Sequence, residues 1–315
     1  MKIYDLHCDA LLKLYENSNL DFSDSSELEV NVRRLADGEV KVQFFAIFLE
    51  PDTPSDNLFD AALKQVDLFH RKILDEHPQF VKITDWNQLS QLASDEIGAV
   101  LTLEGADAFG NDMSKWRLLH DMGVMSLGVT WNQANLCCDG IGESRGGGLT
   151  ELGFEVVRFN NDKGILTDVS HISLAGFEDV LSVADYPIAT HSNAIGKCGH
   201  RRNLNDQQIK SLIEKQGIIG VVFNPPFICD DEDMASIDEL VTHIDHICDL
   251  GGKNYISFGS DFDGISTHVK KLSHAGNYQN LIQALLKHYS KEEVDGFAWK
   301  NAHRFLTNIA LKNDE

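Results

Sequence analysis

Near the start of this chain stands the stretch Asp5-Leu6-His7-Cys8-Asp9. Residues two apart on an extended strand project from one face, so His7 and Asp9 can hold one ion while Cys8 points the other way. An imidazole beside a carboxylate suits zinc or a similar transition metal. Further along, Glu104 closes the run Ala-Val-Leu-Thr-Leu and precedes Gly105, and His171 follows Asp168-Val169-Ser170. His191 precedes Ser192, and Asp261 lies within Gly259-Ser260-Asp261-Phe262-Asp263-Gly264. Three histidines and two or three carboxylates exceed what one tetrahedral zinc needs. Two ions sharing a bridging carboxylate is the more natural reading.

For these residues to meet, the elements carrying them must converge. Short β-branched runs bounded by turns alternate with segments of helical period. The runs span residues 3–6, 42–48, 99–103, 124–130, 165–169, 187–190, 218–223 and 255–259. Helices are expected over 57–74, around 116–119, over 152–159, after a Ser173 cap, from Asn205 onward and over 238–250, with two or three closing helices over 278–311. This order predicts a (β/α)8 TIM barrel with additional C-terminal helices, one domain over 1–315. An open doubly wound sheet is the alternative, and no Gly-x-Gly-x-x-Gly follows the first strand to support it. Chemistry in such barrels sits where the strands end. Five of the eight expected strand ends carry one of the candidate ligands His7, Glu104, His171, His191 and Asp261.

Other candidates weigh less. His243 and His246, three apart on an outer helix, are expected to be a surface pair. His268 and His274 fall in the loop after the last strand, which is surface by default and could reach the pocket mouth. Asp168, inside a strand, is expected to orient a neighbour if it does more than pack. Arg201 and Arg202, followed by Asn203, lie in the loop after the sixth strand and could fork onto a substrate carboxylate or remain solvated charge.

Lys and Arg total 27 against 49 Asp and Glu, a formal charge of -22. That excess of acid argues against nucleic acid as a partner. No run of apolar residues is long enough for a membrane span, and no signal peptide is expected. The six cysteines, Cys137 and Cys138 among them, are expected to be reduced thiols of a cytoplasmic protein.

Together the His-x-Asp start, Glu104-Gly105, Asp168-Val169-Ser170-His171-Ile172-Ser173, His191-Ser192, Arg201-Arg202-Asn203 and Gly259-Ser260-Asp261-Phe262-Asp263-Gly264 resemble the membrane (renal) dipeptidase family, peptidase family M19, of the amidohydrolase-like barrels. The likeness runs in register from residue 3 to about residue 306. It implies two Zn2+ ions per chain, His7 and Asp9 on one, His171 and His191 on the other, and Glu104 bridging. It further implies Asp261 as the acidic catalytic residue, Arg202 as the receiver of a dipeptide's C-terminal carboxylate, dipeptides as substrates (often with a D-residue second), and a homodimer. One departure stands out. Animal members carry a histidine that helps hold the scissile carbonyl oxygen; here the pair is Thr130-Trp131, so that role passes to a neighbour such as Asn132, to a metal, or to nothing.

The activity expected is hydrolysis of a dipeptide by a metal-bridging hydroxide, with Asp261 moving the proton. Rivals are a hydrolase acting on another amide, a lactone or a phosphoester, and a barrel that binds without turnover.

Overall fold

The computed structural model describes residues 1–313. Among the described residues nine strands form: β1 (Ile3–Asp5), β2 (Val40–Phe48), β3 (Phe80–Lys82), β4 (Ile97–Glu104), β5 (Val124–Gly128), β6 (Leu166–Asp168), β7 (Pro187–Ala189), β8 (Ile218–Val221) and β9 (Ile256–Phe258). Every pairing is parallel, and β2 joins both β1 and β4, so eight strands close in the ring order β2-β1-β9-β8-β7-β6-β5-β4. This is the expected (β/α)8 barrel. The ninth strand, β3, lies outside the ring, pairing with Ile97–Ala99 of β4 below the point where β5 takes over that edge. Three residues with no flanking alternation leave little pattern to read.

Period-two alternation decides what reaches the barrel interior. On β2, Val42 and Phe44 point in while Phe45 and Ile47 pack under the helices; on β4, Val100 points in and Leu101 and Leu103 point out. The same alternation carried along each strand aims Phe48 and Glu104 inward at the upper rim. The interior cluster continues downward through Leu6, Leu166, Ile188 and Ile218 to Leu306 and Ile309 of the C-terminal helix Asn301–Asn313, which plugs the lower mouth. Only the upper rim is left to hold a ligand from inside the barrel.

Helices form where their caps say they should. Ser173 accepts from the Gly176 amide at 3.0 Å and opens Leu174–Val183, and Asn205 with Gln208 forms a capping box opening Asp206–Glu214. The helix expected over 57–74 changes winding at Phe69, from Leu58–Leu68 to a π-type turn over Phe69–Asp75. After β5 the chain runs to Glu151 without a helix, and this long loop roofs one side of the rim.

Candidate metal centre

The strands end earlier than the sequence suggests. Only Glu104 lies within a strand; His7, Asp9, His171, His191 and Asp261 stand two to four residues past the last ladder positions of β1, β6, β7 and β9. Lone backbone bonds hold these extensions in place. The Asp261 amide donates to the His7 carbonyl at 3.2 Å, the Asp9 amide to Phe262 at 2.8 Å, and the Ser192 amide to Gly220 at 2.8 Å. Two of the site residues turn the chain in the left-handed region, His171 at φ 67° and Asp261 at φ 65°, and Asp263 follows at φ 69°. His and Asp tolerate this conformation better than most residues, at a cost of about 1–2 kcal/mol each. Such strain persists where the surroundings over-determine it, as at functional sites.

The six side chains converge. One Glu104 oxygen, Oε1, lies 3.0 Å from His171 Nε2 and 3.6 Å from His191 Nε2. The other, Oε2, lies 3.7 Å from His7 Nε2, which is itself 3.4 Å from Asp9 Oδ2 and 3.8 Å from Asp261 Oδ1. Ligand atoms on one tetrahedral zinc stand about 3.3 Å apart, so the two groups have the spacing of two adjoining ion sites. Cys8 takes no part: its side chain is fully buried in the apolar core.

Hydrogen bonds behind the histidines fix which nitrogen faces the cluster. His171 Nδ1 donates to Asn132 Oδ1 at 2.9 Å. His191 Nδ1 donates to Thr190 Oγ1 at 2.9 Å, and the Thr190 hydroxyl donates to Asp168 Oδ2. Both Nε2 atoms therefore present lone pairs, and they face each other at 2.8 Å. Two lone pairs at that distance repel unless a cation lies between them. Among the described residues, the buried His7 Nε2 and Asp9 Oδ1 likewise have no hydrogen-bond partner. An unpaired buried polar atom costs about 1–3 kcal/mol, which a coordinated ion would offset. The donor set thus fits divalent metal.

Electrostatics agree. Burial, helped by Arg202 and His7, holds the His171 imidazole well below its usual range, and burial with His7 and His171 does the same for His191. Burial thus favours the neutral form of both, the form that metal binding requires. Burial pushes His7 down too, but Glu104, Asp9 and Asp261 outweigh it and raise the imidazole; burial raises Glu104 and Asp261 against the opposing pull of His7. Positive charge placed between Glu104 and Asp261 would favour their ionised forms.

A cavity of about 440 Å³ opens onto the cluster, reaching from Asn224 and Phe227 after β8, past Glu104, His171 and Asp261, to Phe48 and Glu50 after β2. Trp131 and Asn132 line it. Arg202 is buried beside it, its guanidinium 5.4 Å over the Phe227 ring, Nη2 donating to the His191 carbonyl at 3.2 Å and Nε without a partner. Its neighbour Arg201 is exposed.

Several residues escaped the sequence reading. Asp5 accepts from the Ser260 amide at 2.8 Å and hydroxyl at 2.7 Å, and from the His7 amide at 3.3 Å, so it clamps the β1 rim to the β9 rim. Thr190 links Asp168 to His191, which gives the expected orienting role of Asp168 its route. Gly264 leaves no room for a side chain, since a Cβ there would stand 2.2 Å from Asp9 Oδ2 and 2.9 Å from Asp261 Oδ1. The adjacency of Thr190 to His191, and of Asp5 to His7 by two, were the signals available.

The histidine pair needs correcting. His243 is fully buried, not a surface residue, because its helix Ile237–Asp249 turns it toward the loops after β7 and β8. Its Nδ1 accepts from the Ala194 amide at 3.1 Å, so Nε2 carries the hydrogen and donates to the Ile228 carbonyl at 2.9 Å. His246 pairs instead with Asp206 at 2.8 Å. In the loop after β9, His268 bonds Glu29, and neither it nor His274 lines the cavity.

A closed parallel barrel with a histidine and carboxylate cluster at the C-terminal ends of its strands is the arrangement of the barrel metallohydrolases. The chain matches the family model for membrane dipeptidase, peptidase family M19, over residues 1–315, and it belongs to that family. It is 31% identical over 306 residues to the dipeptidase aclJ of Aspergillus oryzae, covering 92% of this chain and 72% of that protein. Among solved structures it resembles the dipeptidase AC, a metallopeptidase of family M19, at 26% identity and a TM-score of 0.89, over 97% of this chain and 98% of that one. It also resembles a metallopeptidase from Rhodobacter sphaeroides bound to a phosphinate mimic of the dipeptide L-Ala-D-Ala, at 25% identity and a TM-score of 0.90, over 98% and 99% of the two chains.

Proposed function

We propose that this chain is a dipeptidase whose centre holds two zinc ions, one on His7 and Asp9, the other on His171 and His191, with Glu104 between them. The observation that carries this reading is Glu104, whose two oxygens face two separate donor groups. Divalent ions bound there lower the pKa of water toward neutrality and polarise a carbonyl oxygen.

The chain's own residues supply the rest. Asp261, half-buried at the cavity and with its pKa raised by desolvation, takes the proton of the attacking water and returns it to the leaving amine. Arg202, whose guanidinium lies over the cavity residue Phe227, receives the substrate's C-terminal carboxylate. Because it is buried and anchored on the His191 carbonyl, it fixes the distance from chain end to scissile bond, so longer peptides fit poorly. Asn132 spends its amide oxygen on His171, which leaves its amide nitrogen to meet the substrate carbonyl, and Trp131 walls that side. A D-residue in second position is accepted, a reading supported by the dipeptide mimic bound to the Rhodobacter protein. The proposal extends to a homodimer, as the family resemblance implies, and to the cytoplasm, where the six free cysteines would stay reduced. No helix among the described residues is long and apolar enough to cross a membrane.

The test is a panel of L,L- and L,D-dipeptides, N-acyl amino acids, lactones and phosphoesters, offered to zinc-loaded and chelator-stripped protein. Zinc-dependent turnover confined to dipeptides is expected. Turnover only of another class would replace this function.

A further inference from the structure

The chain around Asp261 is bent into a shape that its neighbours must enforce. Asp261 and Asp263, on either side of Phe262, both lie in the left-handed region, where residues with a Cβ stay only under constraint. The Gly264 amide donates back to the Asp261 carbonyl at 3.1 Å, closing a tight turn, so a shift at Asp263 is passed on to Asp261. The constraint comes from far off in sequence. Phe262 is buried against Phe223 and Tyr278. Beyond it, the Asp263 amide donates to Glu29 Oε2 at 2.7 Å, and the Asp263 carboxylate accepts from the Glu29 and Val30 amides at 2.7 and 2.9 Å. The other carboxylate oxygen of Glu29, Oε1, accepts from His268 Nε2, and the Glu29 carbonyl accepts from the Ala275 amide at 3.0 Å. One residue thus grips the loop after β9 at three places.

Glu29 is itself anchored. Leu28 and Val30, on either side of it, are fully buried in the core. The Asn31 side chain donates to the Ser25 carbonyl at 2.9 Å and to the Leu28 carbonyl at 3.3 Å. This segment joins the helix Ala10–Glu16, after β1, to the helix Val32–Asp37, before β2. Glu29 does not line the cavity, so whatever it does for the reaction it does through the turn.

We propose that Glu29 is a positioning residue for Asp261. Through the Asp263 amide it holds the turn in its left-handed form, and so keeps the Asp261 carboxylate 3.8 Å from His7 Nε2, where it reaches the attacking water. His268 orients Glu29 from the solvent side. What the turn needs is an acceptor for the Asp263 amide: a glutamine oxygen supplies one and an alanine does not. Without it the turn relaxes, and a displacement of about 1 Å at a catalytic group costs up to about 100-fold in rate.

This inference rests on the dipeptidase reading, and the test separates the two. Glu29→Ala, Glu29→Gln and His268→Ala are compared with the unaltered zinc-loaded chain for kcat and KM on the dipeptides of the panel above, for zinc content and for melting temperature. Glu29→Ala should lower kcat about 10–100-fold, with KM changed less than about 3-fold and zinc content unchanged. Glu29→Gln should recover most of that loss. His268→Ala, an exposed change that leaves the core intact, should lower kcat by a smaller factor in the same pattern. In crystals of metal-free Glu29→Ala, Asp261 Oδ1 should stand about 1 Å or more from its present place. A lower melting temperature with kcat unchanged, a rise in KM alone, a glutamine no better than alanine, or an unmoved Asp261 would overturn the positioning role and leave the dipeptidase standing. Should Glu29→Ala fail to fold, His268→Ala decides, and an unchanged kcat there overturns the inference. No hydrolysis of any dipeptide by the unaltered chain would overturn both.

Discussion

Replacing Thr190 by Val removes one oxygen from behind one proposed metal ligand, His191, and nearly nothing else, because the two side chains have the same shape. That oxygen is the sole link between Asp168 Oδ2 and His191 Nδ1. Asp168 would keep its two amide donors on Oδ1, from Ser170 and Thr190, each at 2.9 Å. Oδ2 and the imidazole Nδ1–H would both be left buried without a partner, at about 1–3 kcal/mol each. Released from its anchor, His191 would no longer hold one tautomer and one ring orientation. Partners of this kind typically carry 10–100-fold in metal affinity, about 1.4–2.8 kcal/mol. Zinc affinity is measured by competition with a chromophoric chelator, and stability by thermal melting of the zinc-free protein. Thr190→Val should lose about 10-fold or more in affinity at the weaker site, and Thr190→Ser, which keeps the hydroxyl, should recover most of it. Unchanged zinc affinity in the Val variant would refute the linkage, whatever happened to the melting temperature.

Gly264→Ala forces a methyl to 2.2 Å from Asp9 Oδ2, so one carboxylate must move; zinc bound per chain should fall, as read by metal analysis, with the barrel's circular dichroism intact. Arg202→Ala should raise KM for dipeptides about 10–100-fold, the worth of a charge-assisted hydrogen bond, with kcat changed much less; unchanged kinetics would remove Arg202 from the substrate's end. For pH, His7, Glu104 and Asp261 all have folded-state pKa values raised above their unfolded ones. Each favours the metal-free fold while protonated, so stability is present below the unfolded value and lost as pH rises through the raised one. Below about pH 6.5 the lowered His171 and His191 act in the opposite sense, so the melting temperature of stripped protein should fall as pH rises from about 7 toward alkaline pH, and the increment restored by zinc should grow over the same range. A zinc increment that shrinks with rising pH would contradict these signs.

Much of the barrel was legible because each strand carries its own pattern of β-branched residues between turns. Eight such runs map one to one onto the closed ring, while β3, three residues long and outside it, had nothing to announce it. The candidate ligands were legible because they recur just where those runs stop. What stayed hidden was the set of contacts made between loops far apart in sequence. The Asp5 clamp on Ser260 joins residues 255 apart, and the Asp168 bond to Thr190 joins residues 22 apart. Neither partner's own neighbourhood encodes the meeting. His243 shows the opposite error: its helical spacing from His246 was read correctly, but which face of the helix met the loops after β7 and β8 is decided by packing.

The central claim is that Glu104 lies between two metal ions. Anomalous scattering at the zinc edge from crystals of zinc-loaded protein tests it directly. Two peaks are expected, one about 2.0–2.2 Å from His7 and Asp9, the other at that distance from His171 and His191, with one Glu104 oxygen on each. A single peak with Glu104 bound through one oxygen, or a peak on Cys8 Sγ, would contradict it.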